Sequence, residues 1–324
     1  MNILNSFFIA LNAVIPIACL LWLGWFLVRC NVIDRDFARK GNKWAFNTFL
    51  PITFFNTIRN ANFAASFRGN TLTFIVAGLL ICALFGFLLG AFVIKTPDQK
   101  GVFAQAIIRT NVVIFGLPIA KSLYDISELT TMIMALAIAA PLLNVLSVIA
   151  LSIYPDETGS GSKIDVRKIF VNVVTNPIIV GTIVGLITNI VLNSFGLTLY
   201  APIDSVLTTI GNLATPVLLI FVGALLTFDN LKKYAKTVTG YTLLRLVMIP
   251  LVATVIAAAA GFRGVDLAVI MLMFATPAPV ATVGMAAGQK KDSILAGLLV
   301  AVPSVISVVT IFLFIFVLNV VGLI

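Results

Sequence analysis

Charge is scarce in this sequence, and histidine is missing altogether. Only 10% of the 324 residues are charged, whereas 60% are hydrophobic. A water-soluble domain of this length needs more charged residues to cover its surface. The three cysteines, Cys19, Cys30 and Cys82, have neither metal-ligand nor disulfide spacing. The composition therefore argues against a soluble fold, and we expect no metal ion and no cofactor.

Long runs without any charged residue take up most of the chain. Seven of them lie at 1–28, 69–94, 129–155, 169–203, 205–228, 267–289 and 293–324. A helix needs roughly 20 apolar residues to cross the hydrocarbon layer, so each run is long enough. Lipid cannot satisfy open backbone groups, and the runs do not alternate as barrel strands do. Each run is therefore predicted to contain a transmembrane helix, with the lipid bilayer around it.

Three weaker spans are each interrupted by a basic residue. Lys43 lies in the span 42–58, Arg109 in 101–123 and Arg245 in 238–260. With these included, the ten predicted spans are 5–28, 42–58, 71–94, 101–123, 130–153, 170–192, 205–226, 238–260, 266–287 and 293–318. The predicted fold class is an all-α membrane protein with ten transmembrane helices.

The basic residues are distributed unevenly between the connectors. Lys43 and Lys121 lie near the ends of their spans and are counted with the adjoining connectors; of the 21 Lys and Arg, fifteen then belong to odd-numbered connectors, four to even-numbered ones and two to span interiors. Cytoplasmic loops accumulate Lys and Arg, so we predict a multi-pass protein of the plasma membrane with both termini outside the cytoplasm. The net charge of +9 is then an orientation signal, and no nucleic-acid partner is expected. The first span lacks the basic start and cleavage site of a signal peptide.

Five spans in each half would place the halves in opposite orientations. We therefore predict an inverted repeat, with residues 1–153 as the first half, 154–168 as a cytoplasmic linker and 169–324 as the second half. The motif Asn-x-x-x-Pro recurs in spans two and seven, beginning at Asn47 and at Asn212. Inverted repeats are common in secondary transporters, so an alternating-access carrier is expected.

Proline and glycine cluster in spans four and nine. Span four contains Gly116-Leu-Pro118, and span nine contains Thr276-Pro277-Ala-Pro279. Proline removes an amide donor and glycine lets the backbone open, so both spans are predicted to be broken near mid-membrane. A break exposes helix ends, which attract ions. Ordinary proline kinks that only shape the packing are the alternative.

The candidate binding residues lie near these two breaks. All twelve acids fall in connectors or at span ends, with Asp204 and Asp266 nearest the membrane, which argues against a cation substrate and against a carboxylate proton relay. Arg109 precedes the expected Gly-x-Pro break by two turns, and its planar fork fits a carboxylate. A structural anchor, which snorkels to the cytoplasmic interface or caps the carbonyls of a neighbouring helix, is an equal alternative for Arg109 and the favoured one for Arg245. The predicted substrate-binding set is Asn111, Arg109, Gly116, Pro118, Thr276, Pro277, Pro279, Asn47 and Asn212.

Three asparagines of this set can either bind a ligand or join helices. Asn111 lies about one turn before the expected break, where its amide can donate to a carboxylate. Asn47 and Asn212 each precede a proline by one turn and could line the same cavity. A helix–helix hydrogen bond is the alternative for all three.

The segment Arg109-Thr-Asn111, followed by Phe115-Gly-Leu-Pro118, resembles the fourth helix of the auxin efflux carrier family. The segments 49–55, 175–181 and 214–225 are also similar to that family. The resemblance implies that the helices of spans 4 and 9 are broken and cross each other. It further implies a scaffold formed by spans 1, 2, 6 and 7, and a transport unit formed by spans 3–5 and 8–10. It also implies organic-anion substrates, which are malate or malonate for bacterial members and auxin in plants. A homodimer is implied as well. The sequence departs from the expected family pattern at Thr276 and Ala278.

Other functional classes have less support. A channel usually has a filter motif or rings of charge, and neither is visible. A membrane enzyme needs nucleophiles, metal ligands or paired acids within the spans, so we expect no catalytic residue. A carrier for an auxin-like monocarboxylate, or one coupled to sodium, remains open because hydroxyls and carbonyls alone can bind sodium.

Overall fold

The computed structural model describes residues 3–61, 67–154, 167, 171, 175 and 177–324. All regular structure in this part of the chain is helical, without any β-strand. Eight of the described helical stretches are long and apolar enough to cross a membrane. The predicted all-α membrane class is therefore confirmed.

Thirteen α-helices are described, and most of the stretch between Ile153 and Pro177 lies outside the described residues. In chain order they are α1 (Ile3–Arg29), α2 (Arg35–Arg59), α3 (Gly69–Phe92), α4 (Pro97–Ile108), α5 (Leu117–Leu123), α6 (Thr130–Ile153), α7 (Pro177–Phe195), α8 (Ala201–Ala224), α9 (Leu231–Leu243), α10 (Ile249–Ala259), α11 (Gly264–Ala275), α12 (Ala281–Gly288) and α13 (Ser293–Val320). A π-helical turn at Val112–Gly116 leads into α5, and another at Leu244–Met248 joins α9 to α10.

The predicted spans fall on these helices, with shifted ends. The second span was predicted to begin at 42, but α2 begins at Arg35 because Asp34 caps its first turn by accepting from the Phe37 amide at 2.6 Å. The eighth span likewise begins earlier than predicted, at Leu231. The sixth begins at Pro177, and most of the predicted linker 154–168 lies outside the described residues.

Proline by itself does not break a helix in this fold. Pro16, Pro51, Pro141, Pro216 and Pro303 all lie inside continuous helices. Neighbouring helices and local adjustments can satisfy the freed backbone groups in a bundle. The interruptions near Pro118 and Pro277 therefore need a further cause.

Helices α1, α2, α7 and α8 pack with their backbones in direct approach. A Cβ added at Gly24 of α1 would lie 1.9 Å from the Ile220 carbonyl oxygen of α8, and one at Gly223 would lie 2.0 Å from that of Leu21. A Cβ at Gly181 of α7 would lie 2.2 Å from the Pro51 oxygen of α2. Only glycine allows contacts this close, so these four helices form one tightly packed group.

The interrupted helices occupy the centre of the molecule. In the most apolar window of residues 97–123, 83% of the residues are buried, compared with 28% in α3. Every residue of α11 from Leu267 to Ala275 is buried as well. The two breaks are therefore enclosed by protein, which is where irregular backbone is tolerated at membrane depth.

Candidate functional site

The first break lies at Arg109–Asn111, between α4 and the π-helical turn. The sequence predicted it at Gly116-x-Pro118, and that position is wrong. Pro118 lies in the first turn of α5, where no amide donor is required. The interruption lies upstream of Pro118, at the extended Arg109 (φ −80°, ψ 143°) and the π-helical turn that follows Asn111. Arg109 and Asn111 thus lie within the break, not one or two turns before it.

The second break lies where the sequence predicts it. Helix α11 ends at Ala275, Thr276 is extended (φ −84°, ψ 149°), and α12 begins at Ala281. Pro277 and Pro279, which have no amide to donate, occupy the gap between them. The predicted interruption of span nine is confirmed.

Direct hydrogen bonds join the two breaks. The Asn111 backbone amide donates to the Pro277 carbonyl at 2.8 Å. The Thr110 hydroxyl donates to the Met273 carbonyl at 3.0 Å, and its oxygen lies 2.5 Å from the Thr276 hydroxyl. Each broken helix therefore satisfies backbone groups that the other has freed, and the two cross at this point.

The remaining predicted residues of the breaks surround this crossing. A Cβ added at Gly116 would lie 2.7 Å from Val112 Cγ1 and 3.5 Å from Thr276 Cγ2, so the glycine permits the close approach. Pro277 is buried, whereas Pro118 and Pro279 are half-buried. The four helix ends that meet here present carbonyls from α4 and α11, and amides from the π-helical turn and α12.

The Asn111 side chain has a free donor at the crossing. The residue is only 4% exposed, and its amide nitrogen Nδ2 has no hydrogen-bond partner among the described residues. A buried donor without a partner costs about 1–3 kcal/mol, so such groups usually have a purpose or a ligand. All described acids lie in connectors or at helix ends, which leaves the crossing without a negative charge of its own.

Both arginines predicted inside spans are buried. Arg109 is 8% exposed, and its Nη1 is in contact with Met285 Sδ. Arg245 is 1% exposed, with Nε and Nη2 lacking partners in the described part of the chain. Both guanidinium groups are thus largely enclosed by the protein.

A cavity of about 1060 Å³ lies between α2, the end of α8, α12 and the start of α13. Its lining includes the basic side chains of Arg35, Arg39 and Lys43 from α2. Asp229 is the acid in this lining, and it lies 3.8 Å from Arg35 in an exposed ion pair. On the side of α12 the cavity reaches Met285, the residue that contacts Arg109.

Sequence reasoning missed these basic residues as part of a site. It used them only to orient the chain, yet Arg35, Arg39, Lys43 and Asn47 are spaced by four residues and so share one face of α2. Asn47 also lines this cavity. Asn212 is exposed on α8 and lies outside this cavity.

Two interrupted helices that cross at the centre of an all-helical bundle, beside a large cavity, are the features of a multi-pass membrane transporter. A family model described as "Membrane transport protein" matches residues 9–315, and the chain belongs to this family, that of the auxin efflux carriers. A search of curated proteins gave no match.

Proposed function

We propose that this protein carries small organic anions, such as malate or malonate, across the plasma membrane by alternating access. The observation that carries the proposal is the unpartnered Nδ2 of Asn111, buried at the crossing of the two breaks. A carboxylate there would accept from this donor and from the helix amides, with no described acid nearby to repel it. Arg109 would add a positive charge within the same break.

The proposed architecture has ten spans arranged as an inverted repeat. Besides the eight helices noted above, α2 has 25 residues, roughly 37 Å at 1.5 Å per residue, and α11 with α12 covers 264–288. Both stretches are therefore long enough to cross the membrane. The repeats would be residues 1–153 and 169–324, joined by the linker 154–168.

The glycine contacts support this symmetry. An inverted repeat exchanges the first span with the sixth and the second with the seventh. It would therefore relate the contact of α1 with α8 to the contact of α7 with α2, and both are backbone approaches. These four helices would form the scaffold, and the others the transport unit. The 1060 Å³ cavity lies between the two groups, where a moving boundary would open.

The orientation follows from the basic stripe of α2. Arg35, Arg39 and Lys43 would lie at the cytoplasmic surface, with both termini on the opposite side. The cavity then opens to the cytoplasm, and its basic mouth would concentrate anions. Asn47 would meet the substrate on its way in. The substrate would then bind between Asn111, Arg109 and the helix ends at Gly116, Pro118, Thr276, Pro277 and Pro279.

Sodium coupling is the second candidate. The hydroxyls of Thr110 and Thr276 and the Met273 carbonyl bring three oxygens together at the crossing. Oxygens of this kind, from unwound backbone and hydroxyls, coordinate sodium in transporters with broken helices. Sodium-dependent uptake would favour this version of the carrier.

Counterflow into proteoliposomes tests the proposal. We expect the purified protein to exchange labelled malate or malonate saturably, and a panel of mono- and dicarboxylates, with and without sodium, would define the substrate. Asn111→Ala should weaken apparent affinity by about tenfold, the equivalent of losing one charge-assisted hydrogen bond. The control is Asn193→Ala, an exposed asparagine of α7. Flux that does not saturate, or an Asn111→Ala variant that matches Asn193→Ala, would contradict the proposal.

A further inference from the structure

The partner of the Arg109 guanidinium is a poor one. None of the ion pairs among the described residues includes Arg109, and the acceptor of its Nη1 is the thioether sulfur of Met285. A thioether is a weak acceptor, whereas a carboxylate accepts strongly and can bind both arms of the guanidinium fork. A buried cation with so weak a partner favours exchange for an anion.

Met285 has two different environments. On one side its sulfur contacts Arg109 and lies 3.4 Å from Gln105 Nε2, and on the other the residue lines the 1060 Å³ cavity. Gln105 is fully buried, and its Oε1 has no partner among the described residues. Met285 therefore separates two polar side chains of α4 from the space that opens between α2 and α12.

The surroundings of Met285 leave it room to move. The residue is half-buried on the eight-residue helix α12, next to Gly284. A Cβ added at Gly284 or at Gly288 would find no heavy atom within 4 Å, so this face of α12 borders open space. Methionine is unbranched and changes rotamer readily, which suits a side chain that must swing aside.

We propose that Met285 is the inner gate of the anion site, and that its thioether occupies the position on Arg109 that a substrate carboxylate takes. This inference rests on the proposed function for the identity of the substrate. In the empty state Met285 covers Arg109 and Gln105 from the cavity. An arriving carboxylate displaces the sulfur, because a charge-assisted hydrogen bond is stronger than an N–H···S contact.

Thiol labelling behind the gate tests the cover directly. The labelling uses a variant in which Cys19, Cys30 and Cys82 are replaced by Ser or Ala. In this variant Gln105→Cys introduces a single thiol, which Met285 separates from the cavity. We expect slow reaction with a membrane-impermeant methanethiosulfonate, and about tenfold faster reaction once Met285→Ala removes the cover. Ser147→Cys is the matched control, since Ser147 is buried in α6 and hydrogen-bonds within that helix. Its labelling should not respond to Met285→Ala.

A second pair of variants covers the case in which Gln105→Cys does not fold. Met285→Glu gives Arg109 a permanent carboxylate, and should lower malonate counterflow by about tenfold relative to Met285→Leu, which keeps the size but not the charge. Equal counterflow by the two variants, or labelling of Gln105→Cys that is independent of residue 285, would overturn the gate. Labelling that follows residue 285 while no carboxylate is transported would instead reject the proposed function alone, since the labelling needs no substrate.

Discussion

The backbone amide of Asn111 donates to the Pro277 carbonyl over 2.8 Å, and this bond joins the two interrupted helices. Pro277 offers a carbonyl but no amide, whereas Asn111 begins a segment whose first amides have no partner within their own helix. The two breaks thus complete one another. In Asn111 the backbone serves this junction, while the side-chain nitrogen stays free for a ligand.

Gly116→Ala should loosen the crossing. The added Cβ would lie 2.7 Å from Val112 Cγ1, and a β-branched valine has little rotamer freedom to yield. Overpacking of this kind costs about 1–3 kcal/mol. The control is Gly284→Ala, where a Cβ meets nothing within 4 Å and should stabilise α12 by about 0.5–1 kcal/mol. Thermal unfolding in detergent measures both, and a Gly116→Ala variant as stable as Gly284→Ala would contradict the close approach.

The sequence was sufficient for the helices and for the existence of both breaks. Uncharged runs fix where helices cross a membrane, and the Pro-x-Pro of residues 277–279 leaves no amide to continue α11. The first break was placed too late because a single Pro118 is tolerated at the start of α5. What moves the break to Arg109–Asn111 is the hydrogen bond from Asn111 to Pro277, a contact between distant segments that no local pattern contains.

The cavity was only partly predictable. A spacing of four residues places Arg35, Arg39, Lys43 and Asn47 on one face of α2, and this signal was present in the sequence. The proposed role of Met285 could not be predicted from the sequence. A methionine in an apolar helix looks the same whether it packs in the core or covers an arginine. Only the fold brings Met285 to Arg109.

Charge reversal at the cavity mouth should slow anion entry. Arg39 lines the cavity and is exposed, so Arg39→Glu should cost little stability. It should nevertheless raise the apparent KM for malonate roughly a few-fold at low salt, because the basic mouth no longer attracts the anion. The difference between the variant and the unchanged protein should vanish at about 1 M salt, where the Debye length is about 3 Å. Lys236→Glu is the control, because Lys236 is exposed but lies outside the cavity lining. An equal effect of both variants would mean that only net charge matters.

The first and last helices are tied by one buried hydrogen bond. The Ser6 hydroxyl of α1 donates to Asn319 Oδ1 of α13 at 3.1 Å, with Ser6 fully buried. A double-mutant cycle with Ser6→Ala and Asn319→Ala should give a coupling energy of about 0.6 kcal/mol, and at most about 1.7 kcal/mol, as for other hydrogen bonds between membrane helices. Unfolding of the four proteins supplies the cycle, and strictly additive losses would show that the bond contributes nothing.

Arg245 is a buried charged residue whose replacement should not lower the free energy of unfolding, in contrast to the replacement of Ser6 or Asn319. It is 1% exposed within the second π-helical turn, and two of its three nitrogens lack partners among the described residues. No ion pair in the described part of the chain includes it. Keeping a charge in such a place is costly, since burial removes its hydration.

Arg245→Met should therefore leave the free energy of unfolding unchanged or raise it by about 1–4 kcal/mol, because an apolar side chain of similar length avoids the desolvation. Arg29→Met, at an exposed helix end, is the control and should change it by less than about 1 kcal/mol. Thermal unfolding of both variants in the same detergent makes the comparison. A loss of more than about 3 kcal/mol in Arg245→Met would mean that the guanidinium is compensated where it lies, by the carbonyl ends of neighbouring helices.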